Sequence, residues 1–236
     1  RYKKGDGEWS EVLPVIGVNE LLQRERYNGP VSLQFRFEAQ YVPTQCSVVI
    51  ERAADYSVLV NGSKVSYEGL PYYRDKSFHP IDITSHVKSG SNQIEISTSF
   101  KAPDPSLDYD ERAFGTELEN IYITGDFAVK GEKIGEDWFE SPRHRYKPQF
   151  TIVKETGKCS GDLLKEGYNF FNGTITMTAN TILPEIKENE RIWLDFTKLN
   201  TTYAKIRINN IDAGELAWFP YRLDITDLVW KGENKI

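Results

Sequence analysis

Two groups of aromatic residues, each closed by an arginine, carry most of the binding chemistry in this sequence. Tyr67, Tyr72, Tyr73 and Arg74 form the first, and Trp218, Phe219, Tyr221 and Arg222 the second. A sugar ring presents an apolar C–H face bordered by hydroxyls, so a site for one needs an aromatic platform with Arg, Asp or Asn at its rim. Filling the end of a β-sandwich, or packing on a neighbouring domain, is the simpler account of aromatics that recur in both places. Direct sugar contact is the alternative. Asp104, Asp108, Asp110 and Glu111 gather oxygen donors of the kind calcium takes. They lack the regular spacing of a calcium loop, and the segment is rich in Pro and Tyr, which reads as an exposed interface loop.

Other chemistries find little support. Glycoside hydrolysis needs two carboxylates at a fixed separation across the scissile bond. Among 35 acidic residues, Asp195 or Glu51 can be nominated, but nothing ties either to a second carboxylate in a cleft. His79, His86 and His144 are the only histidines, and no two stand at metal-ligand spacing. No Gly-x-Ser-x-Gly elbow, phosphate-cradling loop or Cys-x-x-Cys occurs. The net charge of −6 argues against a nucleic-acid partner, because neutralising phosphates requires a basic surface. No apolar run approaches the roughly 18 residues of a membrane span. Cys46 and Cys159 read as separate thiols. Asn61-Gly62-Ser63, Asn172-Gly173-Thr174 and Asn200-Thr201-Thr202 match the glycosylation pattern, but Asn-Gly in the first two has its own reason in a tight turn.

The elements that must position these residues occur twice. A strand reaches a turn at Asn61-Gly62, and Ile81-Asp82-Ile83-Thr84 leads on to Gly90-Ser91-Asn92-Gln93-Ile94. Ile208-Asn209-Asn210, Leu223-Asp224-Ile225-Thr226 and Gly232-Glu233-Asn234-Lys235-Ile236 follow in the same order. Asp82 to Asn92 and Asp224 to Asn234 are both 10 positions. Upstream, Gly29-Pro30-Val31-Ser32-Leu33 echoes Gly173-Thr174-Ile175-Thr176-Met177. The offsets are 144 at the glycines, 148 at the asparagines and 142 at the aspartates, a drift that unequal loops produce. This period is a domain length rather than a solenoid repeat. Aligned this way, His86 matches Leu228 and reads as a packing residue.

Alternating apolar residues predict strands at 31–37, 46–51, 56–60, 92–100, 121–129, 173–183, 191–196 and 203–209, with two short strands in residues 1–16 and a hairpin at Lys130-Gly131-Glu132-Lys133. A short helix is expected over Asn19–Arg26, from Val18, Leu21, Leu22 and Glu25. Asp82–Val87 reads as a helical turn in which Asp82 or Thr84 accepts backbone N–H groups. Short strands, frequent turns and few helices indicate an all-β chain of two tandem antiparallel sandwiches.

These features resemble the galactose-binding-like jelly-roll modules of large bacterial glycoside hydrolases of the β-galactosidase type. The set Gly5-Asp6-Gly7-Glu8-Trp9-Ser10-Glu11, Gly125-Asp126-Phe127-Ala128-Val129 and Ala217–Thr226 resembles the C-terminal part of α-L-rhamnosidase-type hydrolases. In such enzymes these segments lie outside the catalytic barrel. The resemblance therefore implies non-catalytic accessory modules of a larger enzyme, with no cofactor required, although the wider fold family often carries a structural calcium. The implied partners are the catalytic domain of the same parent chain and a plant or microbial oligosaccharide, and the implied location is secreted or periplasmic. Asn209-Asn210 departs from the Asn-Gly of the family's turn, which weakens that turn.

The expected organisation is a tail of a preceding module at 1–28, a first sandwich at 29–129, a connecting hairpin and linker at 130–168, and a second sandwich at 169–236 that stops at its last strand. That stop, at the equivalent of Ile94, points to a fragment of a longer protein. Two alternatives stand beside sugar binding: modules that only buttress the catalytic domain, and a free-standing lectin-like protein.

Overall fold

A computed structural model of the chain describes residues 1–69, 71–106, 114–138, 142–157 and 161–236, with the side chains of 136–138 and 142–144 left aside. The fold is mostly β. Two compact units are present, Arg1–Phe171 and Asn172–Ile236.

In the first unit the strands are β1 (Tyr2–Lys4), β2 (Asn28–Ala39), β3 (Cys46–Glu51), β4 (Ser57–Val60), β5 (Ser63–Val65), β6 (Phe78–Asp82), β7 (Gly90–Lys101), β8 (Tyr122–Gly125), β9 (Ala128–Trp138) and β10 (Pro142–Val153). Among the described residues, one sheet runs β5-β4-β7-β2-β10-β9, with β1 also on β2, and a second runs β6-β3-β8. Alternation decides which side chains are buried. Val31 and Leu33 of β2, Ile94 and Ile96 of β7, and Val58 and Val60 of β4 point inward, and Val48 and Ile50 of β3 meet them from the other sheet. Helix α1 (Val15–Arg24) adds Val18 and Leu22 to the same core.

Several expectations shift here. The helix lies at Val15–Arg24 rather than 19–26, starting right after Pro14, which suits a helix start because its missing N–H is not needed there. Only one of the two N-terminal strands forms: residues 8–12 are irregular, and Ser10 Oγ accepts the Tyr2 N–H at 3.0 Å. Lys130–Lys133 is no turn but the interior of β9, where Gly131 pairs with Phe150 and leaves room for that ring. Residues 1–28 and the β9–β10 hairpin share the unit of 29–129, because β1 pairs with β2 and β10 joins β2 in parallel at Glu38 and Ala39.

The second unit contains β11 (Asn180–Leu183), β12 (Trp193–Asp195), β13 (Ala204–Ile208), β14 (Ile211–Leu216), β15 (Arg222–Asp224) and β16 (Gly232–Lys235). Each pairing has a counterpart in the first unit: β11–β16 matches β2–β7, β12–β15 matches β3–β6, and β13–β14 matches β4–β5. The registers agree as well. Phe37 lies opposite Asn92, and Thr181, 144 positions later, lies opposite Asn234. The core is small, with Ile206, Ile208, Leu216 and Ile225 buried. Asn209 and Asn210 turn the β13–β14 hairpin with φ of 52° and 69°, as Asn61 and Gly62 turn β4–β5 with 50° and 85°. Asn tolerates the left-handed region, so the turn survives without glycine. Of the strand expected over 173–183, only Asn180–Leu183 forms.

Candidate functional site

A hydrogen-bonded clasp, present in both units, positions the site. In the first unit the Asn61 Nδ2 donates to His86 O at 2.8 Å and to Asn92 Oδ1 at 2.9 Å, while Asn61 Oδ1 accepts the Gln93 N–H at 2.9 Å. In the second, Asn209 Nδ2 donates to Leu228 O and to Asn234 Oδ1, both at 2.9 Å, and Asn209 Oδ1 accepts the Lys235 N–H at 2.9 Å. His86 and Leu228 thus occupy matching positions, and each donates its N–H to the isoleucine three residues earlier. Asp82 Oδ1 accepts both N–H and hydroxyl of Thr84, and Thr84 Oγ1 accepts the Cys46 N–H at 2.9 Å. Asp224, Thr226 and Ile192 repeat this arrangement. Both aspartates are held below the ordinary carboxylate range, chiefly by the threonine hydroxyl. Asn61 is therefore committed to the fold.

The clasp ties the hairpin to β7 or β16 and leaves the chain between hairpin and β6 or β15 free to differ. Residues 66–77 make this connection in the first unit and 217–221 in the second. The two aromatic groups consequently do not match residue by residue. At the 142-residue offset of the following strand, Tyr221 and Arg222 correspond to His79 and Pro80. His79 stacks on Tyr67, with ring centroids 4.5 Å apart and planes 9° from parallel, so Tyr67 belongs to the sandwich. Tyr72 and Tyr73 are exposed, and the Arg74 guanidinium lies 5.4 Å from the Tyr73 ring.

In the second unit Trp218, Phe219 and Arg222 border an open cleft of about 570 Å³. Trp218, Phe219, Arg222, Tyr203 and Glu215 line it. Trp218 and Phe219 are 78% and 80% exposed, an unusual state for such large apolar side chains. Tyr221 turns the other way and packs half-buried on the core, meeting Phe219 edge to face at 6.2 Å. Arg222 is fixed on the outer face of the β12–β15 ladder. Its guanidinium lies 4.5 Å from the Trp193 ring centroid, and its Nε is 3.5 Å from Asp195 Oδ2. Beside this pair, Arg191 Nη1 meets Asp224 Oδ2 at 2.7 Å. Across the cleft, the carboxylate of Glu215 raises the Tyr203 phenol above its ordinary value.

Trp193, Tyr203 and Glu215 were not singled out from sequence. Asp195, nominated there as a hydrolytic carboxylate, is the ion-pair partner of Arg222. Asp104 accepts from the Ser106 N–H and hydroxyl within its own turn, while Asp108, Asp110 and Glu111 lie outside the described residues, as do Cys159 and the His144 side chain. Among the described residues no three His, Cys, Asp or Glu side chains gather as a metal site would require, and no helix is long and apolar enough to cross a membrane.

No protein-family profile matches the chain, and no curated protein does. Several solved glycoside hydrolases are similar in structure. The β-D-glucuronidase from Dictyoglomus thermophilum is 14% identical with a TM-score of 0.34, over 61% of this chain and 31% of that one. The α-L-rhamnosidase of Streptomyces avermitilis is 14% identical with a TM-score of 0.30, over 88% and 22%. A rhamnosidase from Novosphingobium sp. PP1Y is 17% identical with a TM-score of 0.28, over 88% and 18%. The chain thus spans less than a third of the length of each. Similarities of this size carry no functional argument for it.

Proposed function

We propose that this chain is a non-catalytic, carbohydrate-binding part of a larger glycoside hydrolase resembling α-L-rhamnosidases, and that its two units are tandem jelly-roll sandwiches of the galactose-binding-like kind. The observation that carries the binding role is the cleft of the second unit, where exposed Trp218 and Phe219 stand beside Arg222, Glu215 and Tyr203. Flat apolar surface next to fixed polar groups is what a pyranose needs: the ring's C–H face covers the aromatic plane, and its hydroxyls meet the rim. The ordered motifs at 5–11, 125–129 and 217–226 support the parent type, and with it a plant or microbial oligosaccharide as ligand and a secreted or periplasmic location.

Calorimetric titration with rhamnose-containing and galactose-containing oligosaccharides tests this. Binding is expected from the wild type, with a loss of tenfold or more in Trp218→Ala, on the order of what truncating a central aromatic anchor removes, and little change in Tyr73→Ala. A well-folded wild type that binds none of them would sink the binding role and leave the exposed aromatics as a surface against the catalytic domain.

A further inference from the structure

We propose that the second unit is a strand acceptor, taking an extended peptide segment with apolar side chains at alternate positions, antiparallel, between residues 172–178 and β13. The inference is independent of the sugar-binding role of the cleft.

The first unit shows what such a position holds. There β7 lies between β2 and β4, with Ile96 opposite Leu33 on one side and opposite Val58 on the other. The Asn61 N–H donates to Gln93 O at 2.8 Å, and Phe35 pairs with Ile94. The second unit starts the same arrangement in the same register. The Asn209 N–H donates to Lys235 O at 2.8 Å, and Ala179 and Ile236 exchange N–H···O bonds of 2.9 and 2.8 Å. From there the copies part. Among the described residues β13 pairs with β14 alone, and residues 172–179 belong to no strand.

The two sides of this position are suited to a strand. Along an antiparallel strand, backbone groups of alternate residues face the same neighbour. Since the Asn209 N–H points to β16, the N–H and C=O of Arg207 and Lys205 lie on that same edge of β13. Such an open edge is a template for a further strand, which main-chain hydrogen bonds then hold. The side chains agree. Leu33 is 3% exposed beneath β7, whereas Met177, 144 positions later, is 60% exposed. Val31 is buried, whereas its counterpart Ile175 is half-buried. On the other side Ile206 and Ile208 already belong to the core. An added strand would cover Met177 and Ile175 as β7 covers Leu33 and Val31. Charge narrows the occupant further. Arg207 stands where Leu59 does, and Leu59 lies opposite Glu95, so an acidic residue at that point of the strand would face a cation.

The test uses the whole chain with a capped peptide, Glu-Ile-Ser-Thr-Ser-Phe-Lys, which is the sequence of residues 95–101. Calorimetric titration should show saturable binding, and amide hydrogen exchange should slow by about tenfold or more at 173–178 and 205–207. The isomer Glu-Ile-Ser-Thr-Phe-Ser-Lys puts its Ile and Phe on opposite faces and should bind about tenfold more weakly or not at all. A peptide N-methylated at both serines loses the N–H groups that would meet β13, and should fail likewise. Met177→Asp alters an exposed residue, so its melting curve should match the wild type. Its peptide affinity should nevertheless fall by about tenfold or more, because the charge would lie beneath the added strand. Equal binding of the isomer or of the N-methylated peptide overturns the proposal, as does exchange protection at other segments. Absence of peptide binding by the folded wild type overturns it outright.

Discussion

The Asn92 side chain has no unused hydrogen-bonding capacity. Its Oδ1 accepts from the Lys88 N–H and Asn61 Nδ2, and its Nδ2 donates to Lys88 O at 2.7 Å and Gly90 O at 3.0 Å, all at a residue 1% exposed. Asn234 does the same with Trp230, Asn209 and Gly232, and is also 1% exposed. Asn92→Ala would leave several backbone groups buried without partners, and we expect a loss of about 2–4 kcal/mol in urea unfolding. Asn92→Asp conserves the volume but turns an acceptor toward Lys88 O and Gly90 O, so it should cost at least as much at neutral pH. An Asn92→Asp variant as stable as the wild type would show the clasp to be mere packing. Asp126 offers a pH signature. It accepts the Thr44 hydroxyl at 2.6 Å and the Gln45 N–H at 2.9 Å, and the Thr44 hydroxyl most of all draws its pKa from 3.8 down to about 2. A carboxyl with a depressed folded pKa stabilises the fold above its unfolded value, and that contribution disappears as pH falls from about 4 through 2. Urea midpoints should therefore drop across this window in the wild type and drop less in Asp126→Asn.

At the scale of elements, the β13–β14 hairpin shows what spacing conveys and what it does not. The Asn209-Asn210 pair was expected to weaken the turn, yet both residues hold positive φ. Asn210→Gly should leave stability near wild type, whereas Asn210→Val, with a branched side chain forced into the left-handed region, should cost about 1–2 kcal/mol in the same measurement. The β7 and β16 ends were legible because Gly-x-Asn-x-Ile repeats at fixed spacing after Asp-Ile-Thr, and the aspartate, threonine and asparagine of each copy bond to nearby backbone. Trp193, Tyr203 and Glu215 were not legible, since they meet across ladders whose register no local pattern states. The Lys130-Gly131 step misled for a related reason: its glycine serves a close approach by Phe150, not a turn. Trp218 and Phe219 did stand out, because two large apolar residues in a connection between strands need either a partner or a ligand.

At the scale of the molecule the two units differ in how much core they hold. Arg1–Phe171 buries long alternating runs from β2, β3, β4 and β7 together with α1, whereas Asn172–Ile236 buries four apolar side chains among half-buried ones. Small cores of this kind rarely supply more than about 3–5 kcal/mol. Scanning calorimetry should resolve two transitions, the lower from the second unit. A sugar held at about a hundred times its Kd should raise only that lower transition, by mass action worth about 2.7 kcal/mol, and Trp218→Ala should remove the rise. One cooperative transition that shifts as a whole would mean the units unfold together. The clasp has a consequence for how such a chain can change. Asn61 with Asn92, and Asn209 with Asn234, lock a frame on either side of a stretch that is long at 66–77 and short at 217–221. Doubling a loop between fixed ends costs only about 0.6 kcal/mol. The frame thus behaves as a socket and the stretch as an exchangeable insert, so that one of two sister copies can acquire a new ligand by swapping a handful of residues while its twin keeps the old surface.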